Sequence, residues 1–169
     1  MLKLASLFKW HIEARYSALN VKPCNFSEAI SKNFAIATFI KKVSEGRCPL
    51  MLDFDKVETD NLYSVGVFKT KTGGTSKEPK SVLRTTQSWI KSFEVINSLQ
   101  KDKENYLIFG DLTHSLALYG MVEALYLGHN VHHVQKLRSK SELKALVKFE
   151  PTFVSVSYTH LTLPTILLV

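Results

Sequence analysis

Residues 72–80 bring together the side chains best suited to chemistry in this chain: Thr72, Gly73, Gly74, Thr75, Ser76, Lys77, Glu78, Pro79 and Lys80. Gly73 and Gly74 permit positive φ and leave backbone N–H groups open to an approaching anion. Thr72, Thr75 and Ser76 add hydroxyl donors, and Lys80 adds a positive charge. Such a loop suits phosphate. A lysine–phosphate contact at ~4 Å in an effective dielectric near 20 is worth roughly 4 kcal/mol before desolvation is subtracted.

The flanking residues define how the loop is held. Residues 62–68 alternate apolar and small side chains, the period of a strand, and residues 81–84 resume an apolar run after Pro79. The loop is therefore expected to join two extended segments. A Walker loop needs glycine before its lysine, Ser or Thr after it and then a helix; Pro79 and the strand-like continuation exclude that reading. Taken alone, the same residues also suit a solvated hairpin connection.

The elements around the loop predict an α/β fold. Asn25 with Glu28 forms a capping box, and Ile30, Phe34, Ala37 and Ile40 line one helix face as far as Gly46. Residues 49–53 read as a buried strand. Ile90, Phe93, Ile96 and Leu99 mark an amphipathic helix, residues 105–109 a strand, residues 116–127 a nearly all-apolar helix closed by Gly128, and residues 131–134 another strand. Ser139 and Glu142 cap a helix running to Lys148, and residues 152–155 begin a further strand. Alternating strands and helices imply right-handed crossovers and a mainly parallel sheet with flanking helices. Tyr119, Gly120, Met121, Val122 and Glu123 lie within the apolar helix and read as core.

With these residues in view, 72–80 resembles the phosphate-binding signature of the adenylate-forming, AMP-binding ligases, which runs Thr-Ser/Gly-Gly-Thr-Thr-Gly-x-Pro-Lys. Thr72, Gly74, Thr75, Pro79 and Lys80 match, Ser76 replaces the usual Thr, and Lys77 stands where the family has glycine. Residues 88–94 and 110–120 are similar, in order and spacing, to the blocks that follow in that family. The resemblance implies a truncated, partial amino-terminal domain of an enzyme that activates a carboxylic acid with ATP and Mg²⁺ as acyl-AMP and passes it to CoA or a carrier thiol. It implies that Thr72, Gly73, Gly74, Thr75, Ser76 and Lys80 hold nucleotide phosphates, with Lys80 orienting the pyrophosphate. It also places His114 near the substrate carboxylate or the wall of the acyl pocket. The stretch 119–123 imitates the family's Tyr-Gly-x-Thr-Glu motif but follows the loop too soon, and Val122 lacks the hydroxyl. Without that motif, the ribose-binding segment or the carboxy-terminal lysine, the 169 residues are not expected to turn over alone.

Residues 156–165 are similar to the conceptual translation of a sequencing adapter, a contaminant of assembled metagenomic genes. On that reading residues 1–155 are the partial AMP-binding domain and 156–169 an artefactual tail. Apolar faces around residues 116–127 are then expected to lie uncovered.

Composition narrows the remaining choices. With 22 basic and 15 acidic residues the chain carries a formal +7. Cys24 and Cys48 lack metal-ligand spacing and need not pair, which suits a reducing cytoplasm. No apolar run reaches the ~20 residues of a membrane helix, so insertion is not expected. His129, His132 and His133 invite a metal, but neighbouring strand residues point to opposite faces, and no metal site is assigned. Lys136, Arg138, Lys140, Lys144 and Lys148 read as the solvated side of a helix, without the aromatic platform of a nucleic-acid face. The competing class is a small non-catalytic α/β module that binds phosphate or nucleic acid.

Overall fold

The computed structural model describes residues 7–53, 56–63, 65–72, 79–99, 104–136 and 139–155. Strand β1 (Arg15–Ala18) turns at Asn20 and returns antiparallel as β2 (Val21–Cys24). Helix α1 (Phe26–Ser31) then starts on the expected reciprocal cap. Asn25 Oδ1 accepts from the Glu28 N–H at 3.0 Å, and Glu28 Oε2 accepts from the Asn25 N–H at 2.8 Å.

The helix expected to continue to Gly46 is two helices. Asn33 takes a left-handed φ of 56°, the Lys32 and Phe34 N–H groups bond to the Glu28 and Ala29 carbonyls, and α2 (Ala35–Ser44) begins afresh. Asparagine tolerates that conformation, so the apolar stripe bends and Phe34 packs on Tyr16 with ring centroids 5.6 Å apart. Strand β3 (Arg47–Asp53) follows.

A four-stranded sheet forms around β3 in the order β4-β3-β5-β6. Strand β4 (Lys56–Tyr63) pairs antiparallel on one side of β3, β5 (Val67–Lys71) pairs parallel on the other, and β6 (Ser81–Thr85) returns antiparallel to β5. The strand anticipated over 62–68 is therefore divided. Gly66, at φ 74°, makes the turn that carries the chain across β3, and its carbonyl accepts from the Thr86 N–H at 2.8 Å. A Cβ there would lie 2.8 Å from Thr86 Oγ1, so glycine is required on steric grounds as well.

The second sheet has the order β2-β1-β8-β7-β9, formed with β7 (Asn105–Phe109), β8 (Asn130–Val134) and β9 (Phe153–Ser155). Its β1/β8, β8/β7 and β7/β9 pairings are parallel, which bears out the α/β reading. The mainly parallel arrangement belongs to this sheet; the four-stranded one is built largely from hairpins. Helices α3 (Thr86–Leu99), α4 (Ser115–Leu127) and α5 (Lys140–Phe149) complete the chain, and Ser139 Oγ caps α5 by accepting from the Glu142 N–H at 3.3 Å.

Helix α4 lies against β7, β8, β9 and α3. Leu118, Met121, Val122 and Leu125 are fully buried, so the expectation of uncovered apolar faces over 116–127 is corrected: Leu116, in the first turn, is the exposed leucine of this helix. An aromatic cluster links the two sheets. Phe68 of β5 meets Trp89 of α3 at 4.7 Å and Phe39 of α2 at 5.7 Å, while Phe93 meets Tyr119 of α4 at 5.1 Å. On the opposite face of the five-stranded sheet, Leu107, Val134 and Leu146 of α5 form a smaller core. Cys24 and Cys48 are buried free thiols.

Candidate functional site

The loop of residues 72–80 leaves and re-enters the structure at one point. Lys71 pairs with Ser81 at the end of the β5–β6 ladder, and the Thr72 N–H donates to the Lys80 carbonyl at 2.9 Å. Thr72 Oγ1 donates to the same oxygen at 3.4 Å. Thr72 and the exposed Lys80 thus flank a closed mouth, while Gly73, Gly74, Thr75 and Ser76 lie outside the described residues.

A second element meets that mouth. The turn between β7 and α4 runs beside the end of β5, where the Lys71 N–H donates to the Thr113 carbonyl at 3.4 Å and Ser115 Oγ donates to the Lys71 carbonyl at 3.1 Å. Lys71 and His114 form a parallel bridge. Two sequence candidates separated by more than thirty residues, the loop base and His114, therefore share one corner of the molecule. That corner stands at the carboxyl end of β7, the end at which parallel sheets expose their loops to ligands.

The turn is held from within and from below. Asp111 Oδ1 accepts from the Thr113 N–H at 2.9 Å, and the His114 N–H donates to the Asp111 carbonyl at 3.1 Å. Leu112 is buried as an anchor, and the Gly110 N–H donates to the Val134 carbonyl at 3.0 Å. His114 itself is exposed and occupies the N-cap of α4 with extended backbone, making no side-chain cap bond.

His133, to which the sequence reading assigned no role, supports the turn from beneath. Its buried ring donates Nε2–H to the Gly110 carbonyl at 2.8 Å, directly under the turn. Burial lowers its pKa, opposed by that bond and by the Asp111 carboxylate, so the ring is held neutral as a donor. The other two histidines diverge from it. His132 faces α5, with Nδ1 2.9 Å from Ser17 Oγ and its ring 5.2 Å from that of Phe149. His129 Nδ1 accepts from the Glu104 N–H at 3.0 Å and stacks on Tyr106. Only the alternation along β8 foreshadowed this separation.

Two turns into α4, burial raises the Glu123 carboxyl to about 7, while hydrogen bonds from Tyr119 and Tyr106 pull it down. Tyr119 Oη and Ser92 Oγ are hydrogen-bonded at 2.7 Å. The reading of 119–123 as core helix holds: Gly120, Met121, Val122 and Glu123 are all buried.

No family model matches the chain. Its sequence is 32% identical over 117 residues to VraA of Staphylococcus aureus strain COL, whose name assigns it provisionally as a long chain fatty acid-CoA ligase; the match covers 63% of this chain and 25% of VraA. VraA of strain MW2 gives the same figures. Over this stretch the chain is similar to a protein named as a CoA ligase. The chain spans about a quarter of the length of the curated relatives it matches.

Solved ligase structures share weaker likeness with it. o-Succinylbenzoate CoA synthetase from Bacillus subtilis aligns at a TM-score of 0.46 and 24% identity, over 56% of this chain and 26% of that one. The amide bond synthetase McbA from Marinactinospora thermotolerans gives 0.42 and 21%, over 53% and 18%. Scores of this size carry no weight beside the sequence match.

Proposed function

We propose that this chain supplies the phosphate-gripping corner of a ligase that activates a carboxylic acid with ATP as acyl-AMP, releases pyrophosphate and passes the acyl group to CoA or a carrier thiol. The observation that supports this most is the tie between Lys71 and the residues either side of His114, which sets a candidate phosphate loop against a candidate acid-binding turn.

A carboxylate is a weak nucleophile, and the polyphosphate it attacks is strongly charged. The protein's task is therefore to align the two and screen the leaving pyrophosphate. Thr72, Gly73, Gly74, Thr75, Ser76 and Lys80 would grip the outer phosphates, with Lys80 orienting the pyrophosphate. His114 would border the acid. Mg²⁺ would arrive with the nucleotide, complexed to its phosphate oxygens; the described residues offer no group of three acidic, cysteine or histidine ligands. The reading takes residues 1–155 as the domain piece and leaves 156–169 outside it.

The test uses the longer parent protein. Lys80→Ala should slow carboxylate-dependent pyrophosphate exchange by about tenfold or more while leaving the thermal melt in place, as expected for loss of a charge contact made to the leaving group. Unchanged exchange in the folded variant would remove Lys80 from the reaction. Nucleotide binding without any carboxylate-dependent exchange in the unaltered parent would favour the non-catalytic phosphate-binding module.

A further inference from the structure

Helix α5 carries a surface pattern that the ligase reading does not use. Lys140, Lys144 and Lys148 recur every fourth residue, so they form one stripe, and all are exposed. None of them joins an ion pair among the described residues. Leu143 and Val147 interleave with them and are 47% and 69% exposed, whereas Leu146 turns inward onto Leu107 and Val134. Val154 pairs in register with Leu107, so it shares the sheet face that α5 covers, and it too is half exposed.

We infer that this face lays α5 flat on an anionic lipid surface, the lysines meeting headgroups and Leu143 and Val147 entering the acyl boundary. Charge complementarity selects an anionic partner, and the two aliphatic side chains select lipid among anions. A nucleic acid would satisfy the lysines and leave Leu143 and Val147 against water; Phe149, the aromatic of α5, lies against His132 instead of offering a stacking platform. No described helix is long and apolar enough to cross a membrane, so the contact is peripheral. The inference does not depend on nucleotide chemistry.

Flotation of the 169-residue chain with vesicles of phosphatidylcholine alone, or mixed with phosphatidylglycerol, tests it and leaves aggregated protein at the bottom of the gradient. The chain should float with the anionic vesicles only. Lys140→Gln, Lys144→Gln and Lys148→Gln combined should lower the bound fraction by about tenfold or more. Leu143→Ser with Val147→Ser should lower it severalfold. A control with Lys22→Gln, Lys32→Gln and Lys91→Gln, which removes the same charge from other exposed lysines, should float like the parent. Circular dichroism verifies folding, and if the serine pair unfolds, the lysine triple against its control decides. Equal flotation on both vesicles, equal loss in the control, undiminished binding of a folded serine pair, or capture of a single-stranded oligonucleotide without vesicle binding would each overturn the inference.

Discussion

Ser115 Oγ donates to the Lys71 carbonyl across 3.1 Å, joining the first residue of α4 to the last residue of β5. One hydroxyl thus ties a helix packed on the five-stranded sheet to a hairpin of the four-stranded sheet. Ser115→Ala should lower stability by about 1 kcal/mol, since a half-buried carbonyl loses a donor. Urea unfolding measures it; an unchanged midpoint would mean that water replaces the hydroxyl freely.

The far end of the same helix gives a steric prediction. Gly128 ends α4 at φ 93°, and a Cβ there would stand 2.9 Å from His11 Nδ1. Gly128→Ala should cost about 1–2 kcal/mol from the left-handed backbone alone. Adding His11→Ala relieves the contact but leaves the backbone cost, so the double variant should recover only part of the loss in a thermal melt.

Glu123 and His133 pull stability in opposite directions with pH. The native carboxyl is raised from 4.5 to about 7, so the unfolded chain releases its proton first; the contribution is complete below 4.5 and is lost as pH rises towards 7. His133 is lowered from 6.5, so its contribution is present above that value and is lost as pH falls through the lower native one. Glu123→Gln keeps a hydrogen-bond acceptor and removes the carboxylate. Its stability should stop falling between pH 5 and 7, with a relative gain on the order of 3 kcal/mol at the alkaline side. Urea melts across that range would refute the assignment if the variant kept the parent's slope.

Removing residues 156–169 should leave nucleotide affinity unchanged, because the proposed phosphate contacts all lie between Thr72 and Lys80. It should also reduce aggregation by deleting an uncharged apolar terminus. Calorimetry on the two lengths of chain is the check, and weaker binding by the shorter one would make the tail part of the site.

Local chemistry was legible in the sequence. The Asn25 and Ser139 caps, the Gly128 stop and the buried 119–123 segment all followed from single residues at fixed offsets. Partnership was not. Alternation over 62–68 cannot report that Gly66 sends β5 to the other side of β3, and a stripe of apolar residues cannot report that Asn33 bends it. The role of His133 had no sequence signal because its carbonyl partner, Gly110, is brought close only by parallel pairing of β7 with β8. For the same reason the meeting of Lys71 with His114 had no sequence signal.

The closed mouth formed by Thr72 and Lys80 makes the loop between them an exchangeable cassette. Antiparallel register fixes both ends, so a change of length or composition inside the loop does not propagate into β5 or β6, and the entropy of closing it varies only slowly with length. On the proposed reading, ligand preference and scaffold stability can then change separately: replacing Lys77 with the glycine of the ligase signature would alter the grip on an anion and leave the β5–β6 frame in place.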